Sequence, residues 1–271
     1  QMKILLNNND LNEALYGVSN LGFVPTMGSL HKGHISLIKK SLKLCDKTIV
    51  SIFVNPTQFN DRKDYLKYPR NNKFDLSILK KLRVNFVYIP KEKDIYDLKK
   101  KTQIKIHKKD KIMCAKYRKG HFEGVIEVMT RLTKLIKPKK IFLGEKDFQQ
   151  LYLIKKYLKK DYKSKIIPCK TIRDKNMIAL SSRNFLLNQT DLIKAGNLAK
   201  NLISFKKKIK GIKLTKKVFG VKKKELSKKF NISIEYLDLR DIKNLKNTNI
   251  IKGSKIFIAY YLNKVRLIDN F

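Results

Sequence analysis

The chain has 271 residues, and its 63 Lys and Arg stand against 22 Asp and Glu, a formal charge of +41. That length and an ordinary apolar share allow one large domain or two modest ones with a real core. No apolar run reaches the ~18–20 residues of a membrane span, no secretory leader is read at Gln1-Met2-Lys3-Ile4, and three scattered cysteines without a C-x-x-C pair argue against a disulfide framework or a zinc site.

A reducing cytosol is therefore the expected location. The charge by itself points to nucleic acid. Only nine of the basic residues are Arg, however, and the excess runs along the whole chain rather than in one tail. Lys, Asn and Ile are abundant together, the signature of A/T-rich codons, so compositional drift explains the charge. No specific nucleic-acid partner is expected, only salt-sensitive adhesion to polyanions.

In chain order, residues 3–20 read as a polar lead-in with a weakly amphipathic helix around 10–16. A first strand follows at 21–24, then a helix over 33–47 with Ile35, Ile38, Leu42 and Cys45 on one face. The β-branched run at 48–54 reads as a strand buried on both faces, ending at the Asn55-Pro56 turn. A helix over 72–82 and a strand over 85–89 come next. The lysine-rich 91–112 segment reads as a solvated face with a strand at 103–107. A long helix after Gly120 turns Val125, Val128, Met129, Leu132, Leu135 and Ile136 inward and stops before Pro138. Strand 140–143, helix 147–160 and strand 165–167 complete an alternation that predicts an α/β fold, a doubly wound parallel sheet with ligands at the carboxyl ends of its strands. Past residue 170 the order changes to helices at 190–208 and 214–230, then strands at 233–239, 254–261 and 265–268. The predicted organisation is a Rossmann-like domain over 1–170 and a smaller α+β domain over 171–271.

Five polar clusters fall on this frame. The first is Phe23-Val24-Pro25-Thr26-Met27-Gly28-Ser29-Leu30-His31-Lys32-Gly33-His34, a strand, a glycine turn and a helix start. Unpartnered N–H groups at a helix start favour anions, and two imidazoles with two glycines there make a cradle for a polyphosphate. The competing reading is a plain strand–turn–helix with two exposed histidines. The second cluster is Ser51–Phe59 followed by Tyr68-Pro69-Arg70. The third is Arg118-Lys119-Gly120-His121-Phe122-Glu123-Gly124-Val125, where His121 reads as structural. The fourth is Phe142-Leu143-Gly144-Glu145-Lys146-Asp147-Phe148-Gln149-Gln150. The fifth runs from Thr171-Ile172-Arg173-Asp174 to Leu180-Ser181-Ser182-Arg183-Asn184. Two hydroxyls and a guanidinium can bind phosphates, although a serine pair alone reads equally as a helix cap.

The first cluster resembles the H-x-G-H signature of the nucleotidyltransferase superfamily, and the longer string is similar to the pantothenate synthetase family. The other four clusters match that family in order, so the resemblance covers nearly the whole chain. It implies ATP-dependent joining of pantoate to β-alanine through a pantoyl adenylate, with AMP and pyrophosphate released. It implies His31, His34, Lys146, Ser182 and Arg183 as catalytic residues. It implies ATP binding at Met27, Gly28, Ser29, Leu30, His31, Lys32, Gly33, His34, Gly144, Glu145, Lys146, Asp147, Ile172, Leu180, Ser181, Ser182 and Arg183. Gln58 corresponds to a contact with pantoate and β-alanine, Gln150 to one with pantoate, and Arg118 to a position near the substrates. Asp75 corresponds to an acidic cluster associated with Mg²⁺, although it can equally support the first turn of its helix. Homodimers through the larger domain, and a small domain closing over the active site, are further implications. The sequence departs from the family pattern at Cys114-Ala115 (usually Glu-Gly), Lys119 (Pro), Glu127 (Thr) and Met177-Ile178 (Gly-Leu). Another H-x-G-H adenylyltransferase and a basic RNA-binding protein are the alternatives.

Overall fold

The computed structural model describes residues 1–96, 104–158, 162–212 and 214–271. The chain runs β1 (Lys3–Leu5), α1 (Asn8–Leu15), β2 (Leu21–Thr26), α2 (Lys32–Leu44), β3 (Lys47–Ile52), α3 (Arg62–Lys67), α4 (Asn72–Lys81), β4 (Phe86–Tyr88) and α5 (Glu92–Ile95). It continues with α6 (Cys114–Tyr117), α7 (His121–Ile136), β5 (Lys140–Gly144), α8 (Phe148–Leu158) and β6 (Lys165–Cys169). The last part holds α9 (Gln189–Lys208), α10 (Lys216–Phe230), β7 (Ser233–Asp241), β8 (Ser254–Leu262) and β9 (Val265–Asn270). Two compact units result: Gln1–Glu145 with Gln149–Lys170, and Thr171–Phe271 with Lys146–Phe148.

The first unit is built on a six-stranded sheet in the order β1-β4-β3-β2-β5-β6, parallel throughout, with flanking helices. Strands of such a sheet are covered on both faces, and Phe23, Val24, Ile49, Val50, Ile141 and Phe142 have no solvent exposure. Helix α2 lies against β2, β3 and β5 through Leu37, Ile38 and Ser41, and the Ser41 hydroxyl meets that of Thr48 at 2.8 Å. The sheet order turns back beside β2: the chain builds outward to β3 and β4 on one side, then crosses to β5 on the other.

Several boundaries differ from the sequence reading. The edge strand β1 lies inside the expected polar lead-in, because three residues are too few to show a period of two. Helix α2 ends at Leu44 rather than 47: Cys45 is extended, and the Asp46 and Lys47 N–H groups donate to the Asn20 carbonyl. The short α3, capped by Asp61, and the single-turn α5 went unread. Of the strand expected at 103–107, Gln103 lies outside the described residues and 104–107 are irregular. There the His107 N–H donates to the Tyr157 hydroxyl, not to a neighbouring strand. Helix α8 begins at Phe148, after a 3-10 turn at Glu145–Asp147, and Lys159 and Lys160 of the expected helix lie outside the described residues.

The second unit packs α9 and α10 with an antiparallel sheet, β7-β8-β9. Leu198, Leu202, Leu226, Ile256 and Ile258 form its core. Arg173 makes a two-pronged pair with Asp269, 2.7 and 2.8 Å, and stacks over the Phe271 ring. Burial pushes the Asp269 carboxyl above its usual range against the opposing pull of that guanidinium.

Candidate active site

Strands β2 and β3 stay paired to their ends, Thr26 opposite Ile52, but β2 and β5 pair only at Gly22–Lys140 and Phe23–Ile141. Beyond Phe23 the strands part, and a crevice opens where the sheet order turns back, the usual ligand position in open α/β sheets. The Met27–Leu30 loop follows β2 and lies against Ile52 of β3 and Asp75 of α4. Gly28 has φ +77°, and a Cβ on it would come within 2.9 Å of Asp75 Oδ2, so only glycine suits the turn. The Ser29 and Leu30 N–H groups donate to the two oxygens of Asp75 at 2.8 Å each.

Asp75 has no solvent exposure and sits in the first turn of α4. Each carboxylate oxygen accepts a loop N–H, so the side chain clamps the Met27–Leu30 loop to the start of α4, the supporting role weighed beside the metal one. Leu30 is also buried, so only its backbone can face a ligand, whereas Lys32 is exposed.

The two histidines cap their own helix. His31 Nδ1 accepts the Gly33 N–H at 3.0 Å, and His34 Nδ1 accepts the His31 N–H at 3.3 Å, a reciprocal box at the start of α2. The rings lie 4.1 Å apart, tilted by 42°. A ring nitrogen that accepts carries no proton, so each neutral imidazole holds its proton on Nε2. The cap and the phosphate cradle are thus compatible: one nitrogen of each ring orders the helix start, and the other is a hydrogen-bond donor.

After β3, Asn55 opens the 3-10 turn Pro56–Gln58. Its Nδ2 donates to Gln58 Oε1 at 3.1 Å and to the Gly124 carbonyl at 3.2 Å. Gln58 Nε2 meets Met27 Sδ at 2.9 Å, which brings the expected substrate amide to the Met27–Leu30 loop. Helix α7 approaches this turn closely: a Cβ on Gly124 would lie 2.5 Å from the Thr57 carbonyl oxygen. The Gln58 carbonyl only accepts, so His121 Nδ1, 2.7 Å away, is the donor, and His121 Nε2 accepts from Arg118 Nη1 at 2.9 Å. Arg118 is thereby tied to the Gln58 turn. Beside Met27 and Gly28 lies a cavity of about 240 Å³, lined also by Ile52, Phe53, Pro56 and Arg70.

Gln149 and Gln150 divide their work. Gln149 is buried and spans the loop before α6, accepting the Cys114 N–H at 3.0 Å and donating to the Ile112 carbonyl at 2.7 Å. Gln150 is half-buried, and its amide makes no hydrogen bond among the described residues.

In the second unit, the Lys146 carbonyl accepts from Asn270 Nδ2 at 2.9 Å, and Phe148 packs on Phe257. Lys146 Nζ lies 3.1 Å from Asp147 Oδ1. The Leu180 N–H donates to the Ile172 carbonyl, joining two of the expected nucleotide contacts. Ser181 caps the 3-10 turn Ser182–Leu186: its hydroxyl accepts the Arg183 N–H, and its own N–H donates to Asn184 Oδ1. Of the serine pair, Ser181 is thus the cap, while Ser182 is buried and Arg183 half-buried.

A family model described as pantoate-beta-alanine ligase matches residues 3–271. The chain belongs to the pantoate–β-alanine ligase family. It is 40% identical to the pantothenate synthetase of Endomicrobium trichonymphae, over 99% of this chain and 97% of that one. Among solved structures, it is similar to the pantoate-beta-alanine ligase from Francisella tularensis complexed with beta-gamma ATP and beta-alanine. That match has 38% identity, a TM-score of 0.84, and coverage of 100% of this chain and 97% of the other. Pantothenate synthetase from Thermus thermophilus matches at 26% identity and a TM-score of 0.89, covering 100% of this chain and 99% of that one.

Several positions expected to depart from the family pattern have the following local surroundings. Met177, in place of the usual Gly, has φ +75°, a backbone conformation that suits glycine. Asp174 holds this turn by accepting the Asn176 and Ile178 N–H groups. Glu127 pairs with Arg131 at 3.0 Å. Cys114 and Ala115 are both buried, with the Cys114 N–H on Gln149. Sequence reasoning missed the Asp75 clamp, the Asn55 hub, the His121 bridge and the Gln149 strut. The one signal for them was adjacency: Asn55 precedes Gln58 within a turn, and Gln149 precedes Gln150.

Proposed function

We propose that this chain joins pantoate to β-alanine at the expense of ATP, in two half-reactions. A pantoate carboxylate oxygen attacks the α-phosphorus of ATP, the bond to the bridging oxygen breaks, and pyrophosphate leaves. The β-alanine amine then attacks the acyl carbon of the pantoyl adenylate, AMP leaves, and the amine nitrogen gives up a proton. Free carboxylate is a poor electrophile, which is why the amide needs the adenylate.

The observation that carries this reading is the engagement of Nδ1 in both His31 and His34. With their caps made, the rings are pre-oriented donors at a helix start, suited to charge that develops on phosphate oxygens. Lys146, Ser182 and Arg183 supply further cationic and hydroxyl groups to the phosphates. Gly28, Ser29, Gly33, Gly144 and the Ile172–Leu180 pair provide the backbone that holds the nucleotide. Gln58 and Gln150 hold pantoate, Gln58 also contacts β-alanine, and Arg118 stands beside Gln58 through His121.

The residues around the nucleotide loop do not fit a protein-held Mg²⁺. Asp75 is a buried clamp whose two carboxylate oxygens each hold a loop N–H. Magnesium, when present, enters on the phosphates of ATP, where phosphate oxygens and waters complete its shell. Pairing of two copies through the first unit, and a reducing cytosolic location, complete the reading. All three cysteines are buried and unlinked, and no helix of the described residues is long and apolar enough to cross a membrane.

The use of neutral amides for an acid has a physical reason. A bidentate Arg clamp would stabilise the ground-state carboxylate and blunt the attacking oxygen, whereas amides orient it without that loss. Gln58→Ala and Gln150→Ala are each expected to raise KM for pantoate more than about tenfold, with ATP affinity nearly unchanged. Gln58→Ala additionally weakens β-alanine use. Steady-state and single-turnover kinetics check this, and equal losses of ATP and pantoate binding would show that the amides only support the fold.

A further inference from the structure

A Gln or Asn amide is two-faced, with an accepting oxygen and a donating nitrogen, and rotation by half a turn exchanges them. What fixes the Gln58 amide is therefore a question about its neighbours. Asn55 Oδ1 receives the Tyr96 hydroxyl at 2.7 Å, the Thr57 hydroxyl at 3.0 Å and the Thr57 N–H at 3.3 Å. Those donors hold Asn55 in one orientation, with Nδ2 between the Gly124 carbonyl and Gln58 Oε1. Gln58 Oε1 must then accept, which leaves Nε2 on the Met27 side. A thioether is a weak acceptor, readily replaced by a substrate oxygen.

We infer that Tyr96 is a positioning residue for the substrate amide. Acting through Asn55, its hydroxyl locks Gln58 with the NH₂ end presented, so that this point of the site takes an oxygen acceptor and rejects a donor. The inference rests on Gln58 contacting pantoate, as proposed above, and assigns Tyr96 no part in the chemistry.

The surroundings of Tyr96 suit the task. Burial pushes its hydroxyl up to about 12, so it stays a protonated donor at physiological pH. The Arg131 guanidinium sits over its ring at 5.0 Å. Arg131 is itself held by Glu127 Oε1 at 3.0 and 3.2 Å and by the Ile95 carbonyl at 3.1 Å. Glu127 thus supplies the carboxylate that holds the cation on the Tyr96 ring.

The test is a kinetic cycle on the full chain. Tyr96→Phe keeps the ring and its stacking and removes one donor. It is expected to raise KM for pantoate about fivefold, with KM for ATP within about twofold of wild type. In the Gln58→Ala background the same change is expected to add less than about twofold, because its target is gone. Asn55→Asp provides a second, sharper variant. A carboxylate accepts from Tyr96 as before but cannot donate, so Gln58 turns over, presents Oε1 to the substrate oxygen, and KM for pantoate rises more than about tenfold. A Tyr96→Phe effect of equal size in both backgrounds, or one shared equally by ATP and pantoate, would reduce Tyr96 to a fold element and overturn the inference. So would an unchanged KM in Tyr96→Phe while Gln58→Ala raises it. If Gln58→Ala itself leaves pantoate KM unchanged, the substrate reading of Gln58 fails first and the inference goes with it.

Discussion

His31 and His34 illustrate how one ring serves a helix and a ligand at once. Their Nδ1 atoms are acceptors for the α2 cap, so neither ring can take a proton there without breaking that cap. On the proposed reading, their contribution to the reaction is donation from Nε2, not general-base catalysis. His34→Ala is expected to lower kcat by about 10²–10³, the scale of deleting one preorganised oxyanion donor. His34→Asn, which keeps a cap acceptor but not the distal donor, is expected to lose as much while thermal unfolding shows the fold retained. Recovery of kcat in His34→Asn would make the cap the whole of the residue's role. Asp75 makes the opposite point. Its chemistry invites a metal, yet its partners are the Ser29 and Leu30 N–H groups, 46 and 45 residues away in sequence. Asp75→Asn places an amide nitrogen against one of those N–H groups, and is expected to cost about 1–3 kcal/mol of stability. Activity should fall by the same factor at every Mg²⁺ concentration, and rescue by excess Mg²⁺ would reinstate the metal ligand.

At the scale of elements, the close approach of α7 to the Pro56–Gln58 turn sets the site. Gly124→Ala would drive a Cβ onto the Thr57 carbonyl and the Gln58 N–H, which are backbone and cannot rotate away. A loss of about 1–3 kcal/mol is expected from such overpacking, together with a raised KM for pantoate because the Asn55–Gly124 bond moves with the helix. A stable variant with unaltered KM would show that the turn tolerates displacement. The same contact explains what was legible in the sequence. Strands β2, β3 and β5 announced themselves as continuous apolar runs between turn signals, and α7 by its inward Val, Met and Leu positions. The Met27–His34 loop stands out in the sequence because its residues are contiguous. Asn55, Tyr96 and His121 do not, because their meaning lies in partners from different elements, which periodicity does not encode. Elements of three to six residues, such as β1, α3 and α5, fall below the length at which a period can be read.

For the whole molecule, the charge of +41 is the most conspicuous feature of the sequence and the least informative about its function. The fold and the family rest on the parallel sheet and the match over residues 3–271. The central claim is that pantoate is activated on ATP before the amine takes part. Isotope exchange between labelled pyrophosphate and ATP, measured without β-alanine, tests it most directly, since the proposed first half-reaction runs both ways and needs no amine. The account predicts exchange that depends strictly on pantoate. Exchange that proceeds without pantoate, or that appears only once β-alanine is added, would contradict it.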